Sequence, residues 1–265
     1  MTEWTSSDGR IRLICGDALA CLRDLPDGSV HLVVTSPPYN IGVDYGVYKD
    51  DRNIADYLVW MQEVFVALRH VLVLGGRVCV NIGENNRSTD RTPLFAYLAL
   101  GMQQADLLYR ATIIWQKDAC ASATAWGSWR SPANPHIVPR HEYVLVFSKG
   151  DMALAGDTKP DISAADFTEC SKGTWYIKPE RRNGEHPAPF PEELVRRLIL
   201  FYSYPGQSVL DPFGGSGTTA VVALKHRRRA ILIDLNPAYY ELAKRRIECE
   251  LAQGVLPFQA KERTT

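Results

Sequence analysis

The fold is decided by one stretch, Val209-Leu210-Asp211-Pro212-Phe213-Gly214-Gly215-Ser216-Gly217-Thr218-Thr219-Ala220. It predicts a short buried strand, a glycine-rich turn and the start of a helix. Glycines let a ligand approach the backbone, and the first turn of a helix offers free N–H groups. The turn fits the pattern G-x-G-x-x-A, and Asp234 follows at the spacing of an acidic residue that binds a ribose. The pattern leaves a nicotinamide cofactor and S-adenosylmethionine both open, and without a Lys after the glycines it disfavours a triphosphate-binding loop.

Strand-like and helical patterns alternate on either side of this stretch. Seven strands are predicted at residues 11–15, 30–36, 77–82, 112–115, 143–147, 208–211 and 230–234. Helices are predicted at 18–25, 54–72, 92–104, 191–202, 218–225 and 238–250, and Gly75-Gly76 is expected to end the second one. This alternation predicts one α/β domain over residues 1–265, with a mainly parallel sheet and helices on both faces.

A second motif, Thr35-Ser36-Pro37-Pro38-Tyr39-Asn40, ends the apolar run at 31–34. The two prolines fix the backbone and remove two N–H donors, so the carbonyls beside Ser36 can only accept hydrogen bonds. The exocyclic amine of cytosine or adenine is a poor nucleophile because its lone pair is delocalised into the ring. If Ser36 Oγ and the Pro37 carbonyl accept its N–H hydrogens while Tyr39 stacks on the ring, the nitrogen is prepared for attack. The alternative reading is a strand followed by a Pro-Pro turn, or an extended recognition segment.

Composition restricts the function less than the motifs do. The chain has 30 basic and 30 acidic residues, although proteins that hold nucleic acid tightly are often basic. Between Arg110 and Lys149, five basic residues stand against two acidic ones, which indicates either a basic stripe or an ordinary solvated surface. The six cysteines form no C-x-x-C pair, which argues against a zinc site and a disulfide framework. We expect a cytoplasmic protein without a membrane partner, since neither a signal segment nor a membrane-spanning run is visible.

The segment 117–139 is too long for a simple connection and is rich in Trp, Ser, Ala and Pro. Long loops in compact domains are usually functional or disordered.

The two motifs together resemble the catalytic and cofactor signatures of the amino-directed DNA methyltransferases, in the permuted order called the β group. The resemblance extends over about residues 11–247. It implies a Rossmann-like, S-adenosylmethionine-dependent methyltransferase fold with a mostly parallel seven-stranded sheet, circularly permuted so that the glycine turn lies near the C-terminus. It also implies direct methyl transfer to a flipped base, without a metal and without a covalent enzyme intermediate.

The resemblance assigns expected roles to individual residues. Catalysis is expected of Ser36, Pro37, Pro38 and Tyr39. Cofactor binding is expected of Asp17, His186, Phe190, Asp211, Phe213, Gly215, Ser216, Gly217, Thr218 and Asp234. A DNA-contacting role is expected of the segment 117–139, because an enzyme that modifies an amino group inside a duplex must extrude the base, and aromatic and basic residues can fill the gap. DNA or base contacts are expected of Asn40, Trp115, Lys117, Trp126, Trp129, Arg130 and Arg140. For Trp115 a place in the core is an equally good reading, and Asp17 and Asp234 could serve as helix N-caps.

Ser before Pro-Pro-Tyr is more typical of cytosine N4 methylation in this family, whereas Asp or Asn is more typical of adenine N6 methylation. Cytosine is therefore favoured and adenine is the alternative. The implied partner is double-stranded DNA, as for a restriction-modification or orphan enzyme, and a cognate endonuclease and a homodimer are both compatible. The segment 150–175 is a short variable insert where relatives often carry a larger recognition region. A methyltransferase for protein glutamine or small molecules and a non-catalytic nucleic-acid-binding module are more remote, and an oxidoreductase leaves residues 36–39 unexplained.

Overall fold

The computed structural model describes residues 2–86, 91–117, 127–137, 139–156, 159–180 and 190–254. In this part of the chain the strands are β1 (Thr2–Thr5), β2 (Ile11–Cys15), β3 (Val30–Thr35), β4 (Leu72–Ile82), β5 (Asn85–Asn86), β6 (Arg91–Thr92), β7 (Leu107–Gln116), β8 (His141–Lys149), β9 (Thr174–Tyr176), β10 (Ser208–Asp211) and β11 (Arg229–Asp234). The helices are α1 (Ala18–Asp24), α2 (Ile54–Val71), α3 (Leu94–Gln104), α4 (Ala164–Cys170), α5 (Glu192–Tyr202), α6 (Thr218–Lys225) and α7 (Pro237–Gly254).

The main sheet differs from the seven mostly parallel strands that the sequence predicts. Within the described residues it has nine strands in the order β1-β2-β11-β10-β3-β4-β8-β7-β9, and β5 and β6 form a separate pair. Strands β2, β11, β10, β3 and β4 are parallel to one another, whereas β8 runs antiparallel to both β4 and β7. The additional strands β1 and β9 lie at the two edges and have only four and three residues. All seven predicted strands are present and five of the eight neighbouring pairs in the described sheet are parallel, but the number of strands is nine and the sheet is mixed.

Helices cover both faces of the sheet, as predicted. Two separate apolar clusters show this, because one contains residues of α5, α6 and α7 and the other contains residues of α1, α2 and α3. The polypeptide places its late strands β10 and β11 in the middle of the sheet, between the early strands β2 and β3. The carboxyl ends of these parallel strands therefore meet at one edge, where open α/β sheets bind ligands.

Local sequence explains how the elements around this edge begin. Asp17 caps α1 by accepting a hydrogen bond from the Ala20 N–H at 2.9 Å. Helix α5 follows Pro191 and has Glu192 and Glu193 in its first turn, where negative charge favours a helix N-terminus. The helix α2 ends at Val71, before the expected glycine stop.

The segment 150–175 contributes structure of its own. Its described part contains α4 and the beginning of β9, which pairs in parallel with β7. Trp175 of β9 is fully buried in the same core as α5. In the described residues, no helix combines the length and the apolar character needed to cross a bilayer.

Candidate active site

A cavity of about 510 Å³ opens at the carboxyl edge of the parallel strands. It is lined by the segment after β3 and by the glycine turn after β10, which lie far apart in the sequence. The predicted site residues on its wall are Asp17, Ser36, Pro37, Pro38, Tyr39, Trp115, Lys117, Phe190, Asp211, Phe213, Gly215, Ser216, Thr218 and Asp234. The structure thus brings the two motifs into one cleft.

Other predicted site residues lie away from the cavity wall. Gly217 packs against α7, where an added Cβ would lie 2.8 Å from the Ala243 Cβ. Arg130 and Arg140 are exposed, as is Trp129 with 67% of its surface accessible. Two further predicted residues, Trp126 and His186, fall outside the described residues.

The buried carboxylate of Asp211 joins the two motifs. It accepts hydrogen bonds from the Thr35 hydroxyl at the end of β3 and from the Thr219 hydroxyl in α6, both at 2.7 Å. The Phe213 N–H donates to the same group at 3.1 Å. Burial raises the pKa of Asp211 to about 6. Asp211 therefore connects the ends of β3 and β10 and the start of α6.

The carboxylate of Asp234 holds the glycine turn at the end of β11. One oxygen accepts from the Gly215 N–H at 2.7 Å and the other from the Asn236 N–H at 2.8 Å. Burial raises the pKa of Asp234 above its ordinary value. Each carboxylate oxygen has a second lone pair, so Asp234 can still accept bonds from a ligand in the cavity.

Tyr39 belongs to a polar network that the sequence did not reveal. Its hydroxyl donates to Glu142 Oε2 at 2.8 Å and accepts from Ser36 Oγ at 3.1 Å. The side-chain amide of Asn81 donates to the Tyr39 hydroxyl and to Glu142 Oε2, both at 2.7 Å. Desolvation, followed by the negative charge of Glu142, raises the pKa of Tyr39 well above its ordinary value.

Lys117 points into the cavity instead of forming part of a surface stripe. Its ammonium pairs with Glu142 Oε1 and lies 4.9 Å from the centre of the Trp115 ring. Trp115 itself is buried, and its indole N–H donates to the Ile177 carbonyl at 2.9 Å. The alternative prediction that Trp115 lies in the core is thus confirmed, although its ring also borders the cavity.

Residues 41–60 add an aromatic wall that the sequence analysis missed. The rings of Tyr48 and Trp60 stack with centroids 6.3 Å apart, and Trp60 meets the ring of Phe213 edge-on at 5.6 Å. The guanidinium of Arg52 lies 4.7 Å from the Trp60 ring centroid. Tyr45 is tied to the end of β11, since its carbonyl accepts from the Asn236 side chain at 2.7 Å.

Further contacts fix the backbone of the Pro-Pro motif. The Tyr57 hydroxyl, from α2, donates to the Pro38 carbonyl at 2.7 Å. Asn40 is buried in a left-handed conformation with φ of 55°, and its N–H donates to Asp50 at 2.7 Å. Its side-chain amide donates to the Arg52 carbonyl at 2.9 Å. Asn40 therefore supports the loop.

The arrangement defines an α/β protein with a ligand cleft that has carboxylates at one end and a hydroxyl, prolines and an aromatic ring at the other. The described residues contain no cluster of His, Cys, Asp and Glu side chains suited to a metal ion. Residues 30–245 match the family model N6_N4_Mtase, which is described as DNA methylase. The chain belongs to this family of DNA methylases.

Individual relatives agree with the family. The type II methyltransferase M.Cfr9I of Citrobacter freundii is 31% identical over 89% of this chain and 87% of its own length. The DNA adenine methyltransferase YhdJ of Escherichia coli is 30% identical over 89% of this chain and 82% of its own. Among solved structures, that of TTHA0409 from Thermus thermophilus in complex with S-adenosyl-L-methionine has a TM-score of 0.72 at 31% identity, and the match covers 90% of this chain and 93% of that one. The cytosine-N4-specific PvuII DNA methyltransferase shares the fold, with a TM-score of 0.72 at 22% identity, over 91% of this chain and 86% of its own.

Proposed function

We propose that this protein transfers a methyl group from S-adenosylmethionine to the exocyclic amino group of a base in double-stranded DNA. One observation carries the proposal, namely that residues 36–39 and the glycine turn at 211–216 line the same cavity. An acceptor set for an amine and a backbone turn for a nucleoside are both needed for this reaction. Membership of the DNA methylase family and the S-adenosylmethionine complex of the relative TTHA0409 support the same donor here.

The residues at the glycine-turn end fit S-adenosylmethionine. Asp234 offers unoccupied lone pairs to ribose hydroxyls, and Asp17 lies on the same cavity wall. Phe190 and Phe213 add apolar surface, and the volume is that of a small-molecule site. When bound, S-adenosylmethionine supplies a methyl group activated by a positively charged sulfur.

The residues at the other end prepare the amine. We infer that Ser36 Oγ and the Pro37 carbonyl accept its two N–H hydrogens, because the Pro38 carbonyl already accepts from Tyr57. Acceptors aimed at a nitrogen that becomes positive stabilise the transition state, and a fixed line of attack lowers the barrier further. The ring of Tyr39 is held in place by Gly83, where an added Cβ would lie 3.0 Å from its Cε2 atom.

We propose that the segment 117–139 contacts the DNA. Its described part forms a tight turn in which the Ser128 N–H donates to the Asn134 carbonyl at 2.9 Å. This turn presents Trp129 and Arg130 to solvent. We propose that Trp129 fills the gap left by the extruded base and that Arg130 and Arg140 contact phosphates.

We propose cytosine N4 as the acceptor. Ser36 supports it, since Asp or Asn at that position is more typical of adenine enzymes in the family. Adenine N6 is the second candidate, because the relative YhdJ is a DNA adenine methyltransferase at 30% identity.

We further propose that the chain is circularly permuted. Strand β10 carries the glycine turn, β11 lies beside it, and the next strand in space is β2 from the N-terminal part. Neighbouring strands of the sheet that begin with β10 and β11 therefore continue with β2, which comes from the beginning of the chain.

The test is incubation with duplex DNA and methyl-labelled S-adenosylmethionine, followed by mass spectrometry of the nucleosides. We expect N4-methylcytosine, whereas N6-methyladenine would select the second candidate. Label only on a ring carbon, or no label on a diverse set of duplexes, would overturn the proposal.

Two variants separate the ends of the cavity. Ser36→Ala should lose turnover and keep its calorimetric affinity for S-adenosylmethionine, whereas Gly215→Val should lose that affinity. Normal affinity in Gly215→Val would remove the role assigned to the turn.

A further inference from the structure

The network at Tyr39 has a fixed direction. A carboxylate can only accept, so the Tyr39 hydroxyl must donate its single proton to Glu142 Oε2, 2.8 Å away. With that proton committed, Tyr39 can only accept from Ser36 Oγ at 3.1 Å. Ser36 must therefore donate, and its lone pairs are left for a donor in the cavity. The result is a chain of hydroxyls that runs from the cavity to a carboxylate.

The middle of this chain is suited to carrying a proton. Desolvation and the charge of Glu142 raise the pKa of Tyr39, so its hydroxyl stays protonated at rest. Asn81 donates to both the Tyr39 hydroxyl and Glu142 Oε2, which fixes their separation. The contact of Gly83 with the Tyr39 ring limits its movement.

Glu142 is the charged end of the chain. Lys117, just after β7, pairs with its other oxygen. Among the described residues, the other charged or titratable groups on this part of the cavity wall are His141, beside Glu142 on β8, Glu84, just after β4, and Tyr45, which acts electrostatically on the Tyr39 hydroxyl. The side chain of Glu142 is 14% exposed, so a proton that reaches it can pass to water.

A methylated amine must lose a proton to become the neutral product. We propose that Ser36, Tyr39 and Glu142 form a proton relay in which Glu142 is the terminal acceptor, an inference that rests on the proposed function. As the bond between nitrogen and the methyl carbon forms and the bond between that carbon and sulfur breaks, an N–H proton moves to Ser36 Oγ. The Ser36 proton moves to the Tyr39 oxygen, and the Tyr39 proton moves to Glu142 Oε2. The product amine and Glu142 are then neutral, and Glu142 releases its proton to solvent.

Asp211 is a less suitable acceptor although it lies on the same cavity wall. Both of its oxygens already accept hydrogen bonds, from Thr35, Thr219 and the Phe213 N–H. Among the described bonds, none links it to Ser36 or Tyr39, whereas Glu142 has a direct bond to Tyr39.

The test is the pH dependence of the methyl-transfer rate in a single turnover on duplex DNA. A protonated Glu142 cannot accept, so the wild-type rate should fall as the solution is acidified. Glu142→Gln keeps the shape of the side chain, and we expect its rate to be about a hundredfold lower, as for the loss of a general base. Its acidic limb should be shallower than that of the wild type, and what remains is attributed to Asp211 and Asp234, which also line the cavity and have raised pKa values. Tyr39→Phe interrupts the relay but keeps the ring, and the same two effects are expected.

Tyr57→Phe is the matched control, because it removes a hydroxyl that bonds to the same loop outside the relay. It should keep the acidic limb. Calorimetric affinity for S-adenosylmethionine and the melting temperature check that each variant is folded. If Glu142→Gln does not fold, the pH profile of Tyr39→Phe tests the relay in its place. A profile parallel to the wild type in Glu142→Gln, or an unchanged rate in Tyr39→Phe, would overturn the relay. Absence of any methylated base with the wild type would instead show that the proposed function is wrong.

Discussion

The substitution Gly217→Ala tests how the position of the glycine turn is set. Gly217 has φ of +83° and precedes α6, and a Cβ there would lie 2.8 Å from the Ala243 Cβ and 3.0 Å from its Cα. Carbon atoms pack best at about 3.5–4.0 Å, so the turn and α7 must separate by about 0.7 Å. Gly206→Ala is a matched control, because Gly206 has the same φ of +83° and nothing lies within 4 Å of its added Cβ.

Two costs contribute to the expected loss of stability. A left-handed conformation costs an L-residue roughly 1–2 kcal/mol, and this applies to both variants. Overpacking against a helix adds about 1–3 kcal/mol, and this applies only to Gly217→Ala. The free energy of unfolding of Gly217→Ala should thus be lower than that of Gly206→Ala by about 1–3 kcal/mol.

Urea unfolding followed by tryptophan fluorescence measures this difference. Titration calorimetry with S-adenosylmethionine gives a second readout, since Ser216 and Thr218 beside the substitution line the cavity. We expect weaker affinity in Gly217→Ala and wild-type affinity in Gly206→Ala. An equal loss of stability in the two variants would refute the conclusion that α7 determines where the turn lies.

Three further predictions concern charge, packing and DNA. Because burial raises the pKa of Asp211 to about 6, its contribution to stability is present at low pH and is lost as the pH rises from about 4 through about 6. The free energy of unfolding should fall by about 3 kcal/mol over this pH range in the wild type, and urea unfolding of Asp211→Asn should not show this fall. The same pH dependence in Asp211→Asn and the wild type would contradict the assignment. Gly83→Ala should lower kcat by displacing the Tyr39 ring, whereas Gly173→Ala, whose added Cβ meets open space, should not; equal kcat values would refute the contact. Trp129→Ala should weaken binding to duplex DNA at least about tenfold in fluorescence anisotropy and spare S-adenosylmethionine affinity, and undiminished DNA binding would exclude its role.

Elements with strong local signals could be predicted from the sequence. The observed α5, Glu192–Tyr202, agrees with the prediction at 191–202, because a proline and two acidic residues mark its start. The bounds of β10 and α6 agree with the predictions at 208–211 and 218–225, since glycines separate an apolar run from a helical one.

Elements that depend on distant partners could not be predicted. Strand β1 is mostly exposed and exists because β2 offers an open edge. Strand β9 has only three residues and forms where β7 offers its edge. Gly75 and Gly76 were expected to end α2, but they lie within β4 where its pairing with β3 shifts register between Leu72 and Arg77.

The candidate site divides in the same way. Residues 36–39 and 211–218 are contiguous motifs, so the sequence could indicate them. Asn81 and Glu142 are 61 residues apart and meet because β4 pairs with β8, which no local spacing signals. Lys117 was expected to contact DNA as part of the segment 117–139, and the sequence did not indicate its pairing with Glu142, because that partner is supplied by another strand.

Asp211 explains why the two motifs can act as one unit. The Thr35 hydroxyl comes from the residue before the Ser36-Pro37-Pro38-Tyr39 motif, and the Thr219 hydroxyl comes from the first turn of the helix after the glycines. A displacement of either segment by about 1 Å would break a 2.7 Å bond to a buried carboxylate, and an unsatisfied buried charge is costly. The ends of β3 and β10 therefore move together or not at all. Because burial raises the pKa of Asp211 to about 6, the buried carboxylate lowers the free energy of unfolding at neutral pH. The connection between the two motifs is therefore kept at the expense of stability.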